Sequence, residues 1–253
     1  MDVDAYLARL DLKRPDAPDA GSLGELQERH LSVVPFENLS VHLGEPVDLA
    51  ESSLLDKIVR RRRGGFCYEL NGAFALLLRE LGFEVSLLSA KVFRPGGGVG
   101  PPFDHLALRV DLDEPWLVDV GFGRHAMRPL RLYATEAQCD PEGEFLILDA
   151  PDGDMDVLHD GTPTYRLELR PRPLSDFART CWWQTTSPDS HFTQGPTCSL
   201  PTSDGRVTLA GDKLIETVHG VRTERTLTDE QEILSLYRVK FGITLDRVPG
   251  SRS

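Results

Sequence analysis

The sequence predicts an α+β protein, with helices first and antiparallel strands after them. Three observations carry that reading. Apolar residues recur at helical spacing as far as Gly82. From Phe83 onward they switch to alternating or continuous short runs. Turn-forming clusters such as "RPGGGVGPP" and "DAPDGD" separate those runs. Strands do not alternate with helices as a βαβ unit requires. At 253 residues, 40 per cent of them apolar, the chain can bury a sizeable core.

In the helical half, Ser22-x-x-Glu25 reads as a capping box with Ser22 as N-cap, and Pro35 ends the helix that follows. "ESSLLDKIVRRRR" predicts a second helix, stopped by Gly64 and Gly65. A third opens at Cys67. Leu70, Ala73, Phe74, Leu77, Leu78 and Leu81 line one face, and Gly82 sits at the C′ position. The runs "FEVSLLSAKVF", "HLALRVDL", "WLVDVGF", "EFLILDA" and "TYRLELRP" predict an antiparallel sheet or barrel. The tail adds a hairpin-like stretch, "GRVTLAGDKLIETVHGVRTERTL". A last helix follows, with Thr228-x-x-Gln231 as its capping box and Gly242 as its stop. "PGGGVG" follows a strand but leads into two prolines and another strand. A dinucleotide loop must open a helix, so that reading fails.

The net charge of −12 argues against a nucleic-acid partner, because phosphate binding needs clustered cations. Arg60 to Arg63 form one basic cluster. The simplest reading is a solvated helix end with cations near the C-terminal dipole; the alternative is local help for an anionic substrate. The start, "MDVDAYLARL", has no positive n-region, and "AFALLL" is too short to span a bilayer. Cys67, Cys139, Cys181 and Cys198 are scattered without a CxxC pair, so neither a zinc site nor a disulfide framework is expected. A soluble, cytoplasmic protein with reduced thiols, no metal and no membrane partner fits these features.

Cys67 stands in the first turn of the third helix. Unpaired backbone N–H groups and the positive end of the dipole there favour thiolate over thiol. Gly64 and Gly65 are expected to turn the chain and leave open space before the sulfur. A reactive cysteine works best with an imidazole, and the imidazole with an orienting carboxylate. His105 begins "HLALRVDL", opposite in facing to Leu106, Leu108, Val110 and Leu112. Asp119 lies in the apolar "WLVDVGFG", where a carboxylate needs a specific partner. A hairpin between the two runs brings them within about one or two rungs. Taken singly, each residue has a plain structural reading: a buried inert thiol, a satisfied core histidine, a strand-end cap. Among the other histidines, His30 and His42 read as surface residues. His125, His159, His191 and His219 fall in or near turns, and His105 ranks above His125 as the base.

With these segments quoted, the sequence resembles the arylamine N-acetyltransferase family. "RRGGFCYELN" resembles its cysteine motif and "VPFENLSVHLG" its N-terminal signature. "DHLALRV" and "WLVDVGFG" are similar to its His and Asp segments. "TSPDSHFTQGPTCSLPTSDGRVTL" resembles the stretch leading to its last domain. The resemblance implies a helical bundle over 1–82 and a β-barrel over 83–185. An interdomain segment and an α/β lid over 186–253 complete the expected cysteine-protease-like core. It implies acetyl-coenzyme A as acyl donor and an aromatic amine, hydrazine or N-hydroxyarylamine as acceptor. Cys67 would be the nucleophile, His105 the base and Asp119 the orienter. Phe122 falls where the family gates its acceptor pocket, and Phe36 and Phe192 match other pocket aromatics. Gly121, Gly123 and Arg124 form the adjacent loop, readable either as a binding element or as an ordinary tight turn. Backbone N–H groups near Cys67, and one near His105 or Phe103, are candidate oxyanion donors. The segment "GPPFDH" departs from many relatives, and Asp104 adds negative charge near the expected donor path. Three rivals share the residues. They are an amide synthase closing a macrolactam from a carrier-bound polyketide, a thiol hydrolase, and a non-catalytic binding module. Oligomeric state is not legible.

Overall fold

The computed structural model describes residues 1–250. The helical half comprises α1 (Val3–Leu10), α2 (Ala20–Val33), the short strand β1 (Phe36–Glu37), α3 (Leu39–Leu43), α4 (Glu51–Leu55) and α5 (Cys67–Glu80). The α2 cap is not Ser22 but Asp19. Its carboxylate accepts the Ser22 N–H at 2.8 Å, while Ser22 Oγ accepts the Asp19 N–H at 3.1 Å, so Ser22 occupies the third helical position instead. After α4 the chain passes through one π-helical turn, Asp56–Arg60, and leaves the helix at Arg62, whose φ is +52°. The helix therefore stops before the two glycines.

Gly64 and Gly65 have another use. They run beside Pro35–Glu37, with the Glu37 N–H donating to the Gly65 carbonyl at 2.8 Å. A Cβ on Gly64 would lie 1.8 Å from the Pro35 carbonyl oxygen, and one on Gly65 would lie 2.7 Å from Glu69 Cβ. The glycines permit close packing; they do not open space before the sulfur.

The basic cluster also divides. Arg60 is 77% exposed, but Arg63 is buried. The Arg63 guanidinium meets Glu37 at 2.9 Å and Glu45 at 3.2 Å, and Lys57 meets Glu69 at 2.6 Å beside them. The solvated-end reading holds for Arg60 and fails for Arg63. These pairs tie β1 and the 45–63 segment to the first turn of α5.

A large antiparallel sheet follows: β2 (Glu84–Val92), β3 (His105–Asp111), β4 (Pro115–Val118), β5 (Leu130–Arg131), β6 (Gln138–Asp140), β7 (Gly143–Asp149), β8 (Met155–His159) and β9 (Thr162–Pro171). Its order is β5-β4-β3-β2-β9-β8-β7-β6. The two edges meet through Gln138. Its side-chain oxygen accepts the Arg131 N–H at 2.8 Å and its amide donates to the Arg131 carbonyl at 3.1 Å, so the sheet is nearly a closed barrel. Leu88, Ala90, Ala107, Phe145, Val157, Tyr165 and Leu167 fill the interior. Leu106, Leu108 and Val110 face the other way and join the core that contains α5.

Helix α6 (Ala178–Thr186) leads to the last sheet, β10 (Thr197–Thr202), β11 (Gly205–Ala210), β12 (Lys213–Val218) and β13 (Val221–Thr226). Helix α7 (Glu230–Phe241) packs on it. Asp229, not Thr228, caps α7, accepting the Gln231 N–H at 2.9 Å; Gly242 closes it in the left-handed region. β1 pairs with β10, so the helical half lends a strand to the C-terminal sheet.

Removing one partner of a buried ion pair leaves an uncompensated charge, at a cost of about 3 kcal/mol or more. Arg63→Leu is expected to lower stability by about that amount in urea unfolding, while Arg60→Leu leaves it unchanged. Equal effects would refute the distinction drawn between the two arginines.

Candidate active site

Cys67 is the first residue of α5, and Phe66 holds the cap position with extended φ/ψ. Glu69 reaches back to accept the Phe66 N–H at 3.3 Å, so the thiol need not serve as the cap. The side chain is 4% exposed. Burial pushes the Cys67 thiol well up. A hydrogen bond from the Leu106 backbone N–H opposes this, while the negative charges of Asp119 and Asp104 act in the same direction as burial. The helix terminus alone therefore does not make a thiolate here. An ionised sulfur requires positive charge close by.

The β3–β4 hairpin fixes the register left open by the sequence. Leu108 pairs with Val118 and Arg109 with Leu117. Continuing that ladder sets Asp119 opposite Ala107, one same-face step from His105. His105 Nε2 lies 2.7 Å from Asp119 Oδ2, both side chains almost wholly buried. Asp119 Oδ1 accepts from Asn71 Nδ2 and from the Gly121 N–H, each at 2.9 Å. Burial alone would raise the Asp119 carboxyl. His105 and Asn71 overcome it and hold the carboxyl well below the usual carboxylate range.

Asn71 is the residue sequence reasoning missed. It lies one helical turn beyond Cys67, on the same face of α5. Its amide also donates to the Leu106 carbonyl at 2.6 Å, and its oxygen accepts the Val120 N–H at 2.9 Å. One side chain thus joins the cysteine helix, the histidine strand and the aspartate strand. The signal was present in "CYELN": a polar residue one turn from the thiol on an otherwise apolar face. Tyr165, from β9, was also missed. Its ring packs 5.1 Å from that of His105, and its hydroxyl interacts with Asp119 while lying 3.1 Å from His125 Nε2.

The predicted loop and aromatic residues gather here. Phe122 meets His105 edge-on at 5.0 Å. Gly121 is pressed against α5, where a Cβ would lie 2.6 Å from Cys67 Cα. Gly123 has φ +91°, and a Cβ there would lie 3.6 Å from the Phe36 ring. Both glycines are thus demanded by close approach or backbone conformation. Phe192 packs 4.9 Å from Phe66 and 6.3 Å from Phe36. Arg124 is largely exposed and pairs with Glu142. The Phe103 N–H donates to Ser89 Oγ at 3.0 Å and so is already engaged. Asp104 accepts from Gln184 Nε2 at 2.7 Å, and burial raises its carboxyl. His30 is not on the surface; it is buried against the Tyr6 hydroxyl at 3.0 Å. His42 is half-buried, 3.0 Å from the Phe192 carbonyl.

A family model described as N-acetyltransferase matches residues 19–249. The chain belongs to the arylamine N-acetyltransferase family. It is therefore an acyltransferase. The arylamine N-acetyltransferase of Mycolicibacterium smegmatis is 35% identical over 99% of this chain and 94% of its own length. The structure of Mycobacterium marinum arylamine N-acetyltransferase in complex with CoA superimposes with a TM-score of 0.87. It is 31% identical and covers 96% of this chain and 93% of that one. The Bacillus cereus arylamine N-acetyltransferase, which has a Cys-His-Glu catalytic triad, gives 0.89 at 26% identity, covering 97% of this chain and 100% of that one. The comparison confirms the fold expected of the sequence, helices followed by a barrel and a C-terminal α/β unit. Among the described residues no helix is long and apolar enough to cross a membrane.

Burial pushes His30 down to about 3 and His125 down to about 4. Each stays neutral in the fold while the unfolded chain takes up a proton below its ordinary value near 6.5. Their contribution to stability is thus complete above about pH 6.5 and is lost as pH falls towards 4. Urea midpoints should drop between about pH 7 and pH 5, and His125→Gln should flatten the slope. A slope unchanged by that substitution would contradict the neutral, buried assignment.

Proposed function

We propose that this acyltransferase moves an acetyl group from acetyl-coenzyme A to the nitrogen of an aromatic amine, hydrazine or N-hydroxyarylamine through an acetyl-Cys67 intermediate. The supporting observation is the 2.7 Å His105–Asp119 pair, set on the strand whose Leu106 N–H touches the Cys67 sulfur. His105 takes the thiol proton, and the resulting imidazolium supplies the charge that sulfur needs in this buried site. Sulfur attacks the thioester carbon, and coenzyme A leaves with the proton. Thiol-for-thiol exchange is nearly balanced in energy, so the acyl-enzyme carries no large penalty.

An aromatic amine then attacks the same carbon, His105 removes its surplus proton, and Cys67 departs as thiolate to be reprotonated. Asp119 orients the imidazole throughout, and Asn71 and Gly121 hold Asp119. The N–H groups of Cys67 and Tyr68 belong to the α5 turn that lacks intrahelical partners, so they can face the developing oxyanion. Phe36, Phe122 and Phe192 form the aromatic wall for the acceptor ring, with Gly121, Gly123 and Arg124 shaping its edge. We read the chain as three units, 1–82, 83–185 and 186–253, and place it in the cytoplasm, where its four free thiols stay reduced.

Incubation with acetyl-coenzyme A and no amine is expected to leave one acetyl group on the Cys67 peptide by mass spectrometry. Cys67→Ala should abolish both acylation and turnover. Asp119→Asn should lower turnover by roughly 10²- to 10⁴-fold, since the imidazole loses its orientation. No acyl adduct on Cys67 would overturn the mechanism.

A further inference from the structure

The loop from Gly121 to Arg124 carries Phe122 to the edge of His105, so the loop's position sets the room left at the imidazole. Its inner side is fixed by Gly121 against α5. Its outer side is held by Arg206 and Glu142, neither of which was a candidate site residue in the sequence. Arg206, on β11, donates through Nη1 to the Gly123 carbonyl at 2.8 Å. The same guanidinium donates through Nη2 to Glu142 Oε1 at 3.1 Å. The second oxygen of Glu142 accepts from Arg124 Nε at 2.9 Å. Glu142 itself is anchored in the barrel, because its carbonyl lies 2.7 Å from His159 Nε2 and its N–H donates to Asp140 at 2.9 Å. One carboxylate thus joins an arginine of the C-terminal sheet to an arginine of the loop.

The join is shielded where it matters. The side chains of Arg206 and Glu142 are 19% and 14% exposed, against 63% for Arg124. The Arg206–Glu142 contact is therefore the stronger half, and charge-assisted hydrogen bonds of this kind are the ones that hold geometry. A cavity of about 720 Å³ borders the join, lined by Glu28, Met127, Arg124, Glu142, Arg206 and His219. Losing the Arg206 contact would free the Gly123 carbonyl beside that cavity.

We propose that Arg206 and Glu142 form a latch that holds the Phe122 loop closed on His105, and that they are positioning residues for the arylamine acceptor and not for the acyl donor. This rests on the transferase reading above. The acceptor ring must pack between Phe122 and the aromatic wall, so its binding depends on where the loop stands. The latch touches neither α5 nor β3, which carry the sulfur and the Leu106 N–H, and Gly121 keeps the inner end of the loop against α5, so acylation of Cys67 is expected to change less than acceptor binding.

The test separates the two half-reactions in wild type, Arg206→Gln and Glu142→Gln. The rate of acetyl-Cys67 formation is followed by mass spectrometry without amine, and KM for a substituted aniline is measured by steady-state turnover. The latch predicts a roughly tenfold rise in aniline KM in both variants, with acylation rates changed by much less than KM. Arg206→Lys should recover part of the KM, since an ammonium can reach one of the two acceptors. An unchanged KM, or acylation and KM failing together by the same factor, would overturn the latch. If wild type takes no acetyl group, the transferase reading falls instead, and the latch with it.

Discussion

A single buried carboxylate organises the site. Asp119 lies almost wholly out of water, where an unpaired charge costs several kcal/mol, and it is held by His105, Asn71 and the Gly121 N–H together. Each of those partners comes from a different part of the chain: strand β3, helix α5 and the loop after β4. Satisfying one acid therefore fixes the mutual placement of three elements. The position of the cysteine helix against the histidine strand follows from it, because Asn71 binds both Asp119 and the Leu106 carbonyl.

The same requirement explains the glycines around the site. Gly64, Gly65 and Gly121 each bring backbone within van der Waals reach of another segment, and a single methyl group at any of them would collide with backbone or with Glu69. They permit that close packing, as its donors permit the aspartate to be buried. Electrostatics then decides how the sulfur can react. A buried thiol near two carboxylates resists ionisation on its own, so the helix terminus by itself does not make a thiolate.

A second layer of ion pairs frames this centre without touching the reacting atoms. Arg63 with Glu37 and Glu45, and Lys57 with Glu69, brace the first turn of α5 from below. Glu142 with Arg206 and Arg124 braces the Phe122 loop from above. In both places cations that look like solvent-facing charge along the sequence are taken up by acids distant in the chain.

Much of this was legible in the amino-acid order alone. The helical period of Leu70, Phe74, Leu77 and Leu81, the stop at Gly82 and the change to alternating runs depend on neighbours within a turn or a hairpin, where local sequence decides the outcome. The His105–Asp119 pairing was within reach for the same reason, since a hairpin of short span constrains which residues can meet. Cap positions shifted, from Ser22 to Asp19 and from Thr228 to Asp229, because several nearby polar residues can serve and only the packed helix selects one. Tertiary structure alone decided that Arg63 and His30 are buried, that Asn71 joins three elements, that Tyr165 reaches Asp119 and that Arg206 reaches Gly123. Those contacts link residues dozens of positions apart, and their partners are chosen by how the bundle, barrel and C-terminal sheet pack, which no local pattern encodes.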